Sequence, residues 1–168
     1  MVNLTDLKRI NLLKTIPDHL LEIIAKEAQL SIFGTGTQLI VDQEKSETFY
    51  MLVMGQVAVK QQLTPDIDII FAYIQSGASF GIPALLRNQK ASYTAVCQEP
   101  CEVITLSGER MLELFDQNHE LAYYMLKGAA NQYKQNMDQS AQMVVKVLDE
   151  NPALLESIDE IETPTLVI

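Results

Sequence analysis

Seven short β-rich segments in the middle of the chain constrain its fold more than any other feature. Glycine, proline and aspartate residues separate these segments, which lie between Leu30 and Leu106. Several short strands with turns between them are typical of a β-sandwich or barrel. The segments read LSIF, TQLIV, TFYMLV, QVAVKQQ, IDIIFAYI, YTAVC and CEVITL.

Helical patterns flank this region on both sides. Apolar residues recur at helical spacing over residues 4–28, and Pro17 stands where a second helix can begin. Ser107 is a predicted N-cap for a short helix at 108–116, and a long helix over 118–149 follows. We therefore predict an α+β, mainly β fold: a double-stranded β-helix or jelly-roll barrel flanked by N-terminal helices and a long C-terminal helix.

The long helix carries a heptad pattern in which seven of the eight a and d positions are apolar or aromatic. Such a stripe is more often the face that packs on the protein's own core. Here about thirty residues, at a rise of about 1.5 Å each, make ~45 Å of helix, which is more than a small barrel covers. We therefore predict a homodimer through this helix. The predicted interface is Tyr123, Leu126, Ala130, Tyr133, Met137, Ser140, Val144 and Val147.

The composition argues against several partners and cofactors. A formal net charge of -10 repels nucleic acids and anionic membranes, so neither is an expected partner. No apolar run approaches the ~20 residues that span a bilayer, and the first residues lack the pattern of a signal peptide, so we expect a cytoplasmic protein. Cys97 and Cys101 are too few for a zinc site unless His19 and His119 join them, so we predict no metal and no cofactor.

The order of predicted elements and three segments resemble the cyclic nucleotide-binding domain of the catabolite activator protein and protein kinase A regulatory subunit superfamily. The segments are TFYMLVMGQVAV (48–59), SGASFG (76–81) and CEVITLSGERMLELF (101–115). The resemblance covers residues 4 to about 148. It implies a sensor domain over 1–149, which includes the long helix, followed by an acidic and then apolar tail over 150–168.

The stretch SFGIPALLRNQKASYTAV, residues 79–96, resembles the phosphate-binding cassette of that family. The family pattern has a glutamate that accepts a hydrogen bond from the ribose and an arginine that pairs with the cyclic phosphate. An ungapped comparison puts Ile82 at the glutamate and Ala91 at the arginine. Because neither side chain can make the polar contact, the resemblance implies weak or absent binding of cAMP and cGMP.

Some features of an anion site remain in the cassette. Pro83 suits the first turn of a short helix, whose free N–H groups favour an anion, and Ser92 and Thr94 offer hydroxyls. Arg87 and Lys90 are cationic neighbours of the lost arginine, but the favoured interpretation is that both are solvated loop residues, since a flanking residue on a strand points to the opposite face. The predicted ligand-binding residues are Phe80, Gly81, Ile82, Pro83, Ala84, Lys90, Ala91, Ser92 and Thr94.

Three functions fit these observations. The first is a stand-alone, non-enzymatic regulatory module that senses an unidentified small molecule, anionic or nucleotide-like, and signals to a protein partner through the long helix. No catalytic motif is present, and about eighteen residues after that helix are too few for a helix-turn-helix domain. The second is a scaffold with a vestigial pocket, whose long helix and TPTLVI tail dock a partner. The third is a haem or redox sensor.

Overall fold

The computed structural model describes residues 2–153. The chain divides into two compact units between Ala129 and Ala130. Among the described residues, the first unit contains the strands and the helical segments up to Ala129, and the second contains the remainder of the last helix and residues 151–153. The predicted division of the chain at residues 149 and 150 stays a prediction.

The N-terminal region folds into short helices, as the helical spacing predicts. The Asn3 side chain accepts a hydrogen bond from the Thr5 N–H at 2.9 Å and so caps the first helix. Pro17 directly precedes the second helix, in agreement with its predicted place at a helix start. The elements are α1 (Leu4–Arg9), a 3₁₀ turn (Asn11–Leu13) and α2 (Asp18–Glu27).

Eight strands form two antiparallel four-stranded sheets, with strand orders β1-β8-β3-β6 and β2-β7-β4-β5. This arrangement confirms the predicted mainly β jelly-roll flanked by helices, although the strands make two sheets rather than one closed barrel. The strands are β1 (Gln29–Phe33), β2 (Gln38–Ile40), β3 (Thr48–Met54), β4 (Gln56–Thr64), β5 (Ile67–Gln75), β6 (Ser79–Phe80), β7 (Thr94–Cys97) and β8 (Cys101–Ser107).

Apolar side chains pack into two separate clusters, because successive residues of a strand point to opposite faces of its sheet. On β3, Leu52 belongs to one cluster, whereas Phe49 and Met51 belong to the other. The cluster that contains Phe49 and Met51 is the helix-side cluster, in which these residues and Ile104 and Leu106 of β8 pack against the helices. The interior cluster draws on both sheets and therefore lies between them. Its members are Ile40, Leu52, Val57, Phe80, Ala91, Ala95, Cys97, Cys101 and Val103.

Two helices follow the last strand, close to their predicted bounds: α3 (Gly108–Gln117) and α4 (His119–Glu150). The Ser107 hydroxyl accepts a hydrogen bond from the Arg110 N–H at 3.4 Å, which confirms the predicted N-cap. All eight heptad residues of α4 are exposed. Within residues 2–153, no helix is both long and apolar enough to cross a membrane.

Candidate functional site

The cassette begins with a tight turn that only glycine can make. After β6, Gly81 adopts a left-handed conformation with φ of 76°. A Cβ atom on this residue would lie 2.6 Å from the carbonyl oxygen of Thr48. The Gly81 N–H also donates a hydrogen bond to the Tyr93 hydroxyl at 3.2 Å, which ties the start of the cassette to its end.

The next residues form a 3₁₀ turn, Ile82–Leu85, that packs toward the helices. Ile82 is 5% exposed and belongs to the helix-side cluster, as do Ala84 and Leu85, while Pro83 is half-buried. The structure therefore places Ile82 and Ala84, two of the predicted site residues, against the helices and not among the side chains between the sheets.

Ala91, in contrast, is 3% exposed and belongs to the interior cluster together with Phe80. Its backbone is fixed by two hydrogen bonds of 2.9 Å, one from its N–H to Glu44 O and one from Gln43 N–H to its own carbonyl. The position that corresponds to the family arginine thus faces the space between the sheets, but it presents only a methyl group there.

Aromatic side chains contribute to the space beside Ala91. Phe80 stacks on Tyr50, with 5.0 Å between ring centroids and 12° between ring planes. The Tyr50 hydroxyl donates to the Leu39 carbonyl at 2.8 Å, and burial raises the pKa of this tyrosine. Nothing in the sequence singled out Tyr50. Tyr93 could have been identified, because this large aromatic residue stands at one of the small-residue positions of the family pattern.

The polar candidates of the cassette do not converge. Arg87, Lys90 and Ser92 are exposed, and Arg87 forms an ion pair of 3.0 Å with Asp116 on α3. Thr94 is half-buried at the start of β7. The Thr94 hydroxyl accepts a hydrogen bond of 3.1 Å from the backbone of the loop before β3.

The strand beside β7 contributes a cation that the sequence analysis missed. Lys60 on β4 is the register partner of Thr94, and its side chain is only 28% exposed. Its ammonium group lies 2.6 Å from the Asp68 carboxylate on β5. This cation is therefore already paired with a carboxylate within the same sheet.

The two histidines make separate contacts with protein groups. His19 Nε2 lies 3.4 Å from the Glu120 carboxylate, and His119 Nδ1 lies 3.2 Å from the Phe115 carbonyl. Within the described part of the chain, no group of three histidine, cysteine, aspartate or glutamate side chains is placed to hold a metal ion.

The two cysteines are buried free thiols of the interior cluster. Burial and the neighbouring Cys101 raise the pKa of Cys97 to about 12. At neutral pH this thiol is protonated, and a protonated thiol is a weak nucleophile and a weak metal ligand. Cys97 therefore acts as a small apolar side chain in this core.

Comparison with known families identifies the domain. A family model described as the cyclic nucleotide-binding domain matches residues 31–118, which is more than half of the chain. The chain belongs to this family. Over 109 residues it is 27% identical to the cAMP-activated global transcriptional regulator CRP of Pasteurella multocida, covering 64% of this chain and 52% of the regulator. Over 118 residues it is 27% identical to cGMP-dependent protein kinase, isozyme 1, of Drosophila melanogaster, covering 68% of this chain and 15% of the kinase. The chain thus spans about half of one curated relative and a small part of the other.

Solved structures of the family share the fold. A cyclic nucleotide-binding domain from Methylobacillus flagellatus has a TM-score of 0.74 at 15% identity, covering 85% of this chain and 80% of that one. The c-di-GMP responsive global regulator CLP of Xanthomonas campestris has a TM-score of 0.68 at 18% identity, with coverage of 89% and 76%. The Thermus thermophilus catabolite activator protein has a TM-score of 0.65 at 18% identity, with coverage of 80% and 62%.

Proposed function

We propose that the chain is a non-enzymatic regulatory module that senses a small molecule between its two sheets and passes the change to a protein partner through α4. The observation that carries the proposal is the position of Ala91, which faces the interior cluster as a ligand-binding residue of this family would. We also propose a cytoplasmic location, which the free thiols of Cys97 and Cys101 support, because cytosolic proteins keep their cysteines reduced.

We expect weak or absent binding of cAMP and cGMP. A hydrogen bond to a charged group contributes about 1.5–3 kcal/mol, so the loss of two such bonds at Ile82 and Ala91 costs about 3–6 kcal/mol. This deficit corresponds to ~2–4 decades of Kd. Arg87 does not replace the missing arginine, since its guanidinium is paired with Asp116, and Lys90 is exposed.

The residues around Ala91 favour a different class of ligand. Phe80 and Tyr50 supply apolar and aromatic surface, and Tyr93 and Thr94, near the C-terminal end of the cassette, carry hydroxyl groups that accept hydrogen bonds from backbone N–H groups. Apolar sites with a few polar groups suit ligands that are largely hydrophobic and carry one polar or carboxylate end. We propose a ligand of that kind.

Isothermal titration calorimetry at physiological salt tests the expectation for nucleotides. Cyclic AMP, cyclic GMP and c-di-GMP are each titrated into the purified chain, with a cAMP-binding member of the family as the positive control. We expect no submicromolar Kd for either mononucleotide. Submicromolar binding by cAMP or cGMP would mean that the cassette is misaligned and that Lys90 or Arg87 contacts the phosphate.

We further propose a homodimer through α4. The face of α4 that packs in the helix-side cluster contains Leu121, Met125 and Ala129, and none of these residues is an a or d position of the heptad pattern. The heptad face is a second apolar stripe, and it is exposed, with Met137 at 70% and Val144 at 60%. An exposed stripe with this period is typical of a helix that pairs with another helix.

Sedimentation at micromolar concentration tests the dimer. We expect the wild-type chain to sediment as a dimer, and Met137→Asp or Val144→Asp to produce a monomer. Gln142→Asp is the matched control, because it adds the same charge at an exposed position outside the heptad face. A wild-type monomer, or an equal effect of all three substitutions, would contradict the proposed interface.

One observation favours the alternative of a scaffold with a vestigial pocket. The residues between the sheets form a contiguous apolar cluster with exposures of at most 7%. A ligand that binds only the folded state raises thermal stability by RT ln(1 + [L]/Kd), so a screen of metabolites separates the two functions. A stabilising metabolite supports the sensor, whereas no stabilisation across the screen supports the scaffold. The TPTLVI tail lies outside the described residues.

A further inference from the structure

A groove of about 520 Å³ lies on the side of the cassette that faces α3. Three segments of the chain line it: residues 45–47 before β3, residues 84–88 of the cassette, and residues 107–116, which cover the N-cap and most of α3. None of these residues belongs to the interior cluster or to the heptad face of α4. The groove therefore lies apart from the interior cluster, where ligand binding is proposed, and from the proposed dimer interface, although Ala84 in its lining is one of the residues predicted from the sequence to bind ligand.

The groove is acidic, since two cations stand against four carboxylates on its walls. Both cations are already neutralised. Lys45 pairs with Glu47 at 3.0 Å, and Arg87 pairs with Asp116 at the same distance. The two remaining carboxylates belong to α3 and give the groove its net negative charge.

These two carboxylates differ in their partners. Glu113 contacts Arg110 at 2.6 Å, and Arg110 also pairs with Glu27. Glu109, one turn earlier on α3, makes no ion pair or side-chain hydrogen bond with the described residues. It is the carboxylate available to a cation from outside the chain.

A buried hydroxyl group on the opposite wall also lacks a partner. The Oγ atom of Ser46 is buried and has no hydrogen-bond partner among residues 2–153. Buried hydroxyl groups are normally hydrogen-bonded, because an unsatisfied one keeps its full desolvation cost. The wall at Ser46 therefore holds an unsatisfied hydrogen-bonding group between Lys45 and Glu47.

Apolar side chains occupy the rest of the groove. Leu86 is 43% exposed at its edge, Leu112 is partly buried, and Ala84 is buried beneath them. A small polycation would leave this apolar surface uncovered. A peptide with an aliphatic side chain beside a basic one can contact both the apolar surface and the carboxylate. The net charge of -10 adds a long-range attraction for a basic partner.

We infer that this groove docks a segment of a protein partner in which lysine or arginine stands next to an aliphatic residue. The groove joins the cassette to α3, because the Arg87–Asp116 ion pair spans it and because Gly108 leaves no room for a Cβ, which would lie 2.3 Å from the Ala84 carbonyl oxygen. A bound segment contacts both walls and is therefore sensitive to any movement between them.

A phage-displayed library of random peptides, panned on the full chain, tests this inference. Phage that bind the Glu109→Lys variant are removed in each round. We expect the surviving peptides to carry lysine or arginine beside leucine, isoleucine or valine. No enrichment after this counter-selection, or enrichment of acidic or uncharged peptides, would overturn the inference.

The most enriched peptide, labelled with fluorescein, is then measured by anisotropy. We expect Glu109→Lys to weaken its binding at least tenfold and Glu109→Gln to weaken it severalfold. Glu99→Lys, which makes the same charge change on the exposed turn before β8, should have little effect. Circular dichroism checks that each variant is folded. An equal loss of peptide affinity in Glu99→Lys would show that the attraction is a nonspecific effect of charge and would overturn the inference.

Discussion

The two halves of α4 carry similar numbers of apolar residues but use them differently. In the first half Leu121, Met125 and Ala129 are at most 4% exposed and pack in the helix-side cluster. From Ala130 onward the described apolar residues of the helix are mostly exposed, with Met137 at 70%. One helix therefore carries two apolar stripes, a buried one from Leu121 to Ala129 and an exposed one from Tyr123 to Val147, and only the buried stripe has its partner within the described chain.

Replacing one methionine in each half gives the largest expected difference. Met125→Ala leaves a cavity in the helix-side cluster and should lower the free energy of unfolding by about 2–5 kcal/mol. Met137→Ala changes an exposed position and should shift it by about 0.5 kcal/mol or less in the monomer. Urea denaturation at low protein concentration measures both values. Equal losses in the two variants would show that both halves are packed alike.

Small residues on α4 provide a second, smaller contrast. A Cβ on Gly128 would lie 2.9 Å from Leu12 Cγ and 3.2 Å from its carbonyl oxygen. Overpacking costs about 1–3 kcal/mol, which exceeds the gain of about 1 kcal/mol in helix propensity from glycine to alanine. We expect Gly128→Ala to lower the melting temperature and Ser140→Ala, in the exposed half, to raise it slightly. A gain in both variants would mean that Leu12 moves aside freely.

The smallest expected effect concerns acid stability. The Arg110 guanidinium, through its hydrogen bond, lowers the pKa of Glu27 below its ordinary value of 4.5, against the opposing effect of burial. Because this pKa is lower in the folded chain, the contribution is fully present above about pH 4.5 and is lost as the pH falls through the folded value. Glu27→Gln should therefore flatten the fall in melting temperature below pH 4.5. Asp138→Asn, which removes an ion pair within the exposed half of α4, is the control.

The sequence was most informative where local signals decide the structure. Ser107 and Pro17 marked helix starts, so α2 and α3 begin where they were expected. Strand β6 escaped prediction as a separate strand because two residues, Ser79 and Phe80, are too few to show a period. Its pairing with β3 is a tertiary effect that no local pattern contains.

The site was less predictable than the fold for a related reason. An ungapped comparison puts Ile82 and Ala91 in one pattern, but it cannot tell which cluster each side chain joins. That choice depends on the left-handed Gly81 and the 3₁₀ turn, which direct the chain toward the helices after β6. The groove beside α3 could not be predicted from the sequence, because the three segments that line it are far apart in the chain.

The separation of Ile82 from Ala91 has a consequence for protein design. A glutamate at position 82 alone would place a carboxylate in the helix-side cluster, and an arginine at position 91 alone would place a cation beside Phe80 and Tyr50. An unpaired buried charge is strongly destabilising, so either substitution alone costs stability before any nucleotide is bound. A nucleotide site in this cassette therefore has to be introduced with both charges and their polar partners at once.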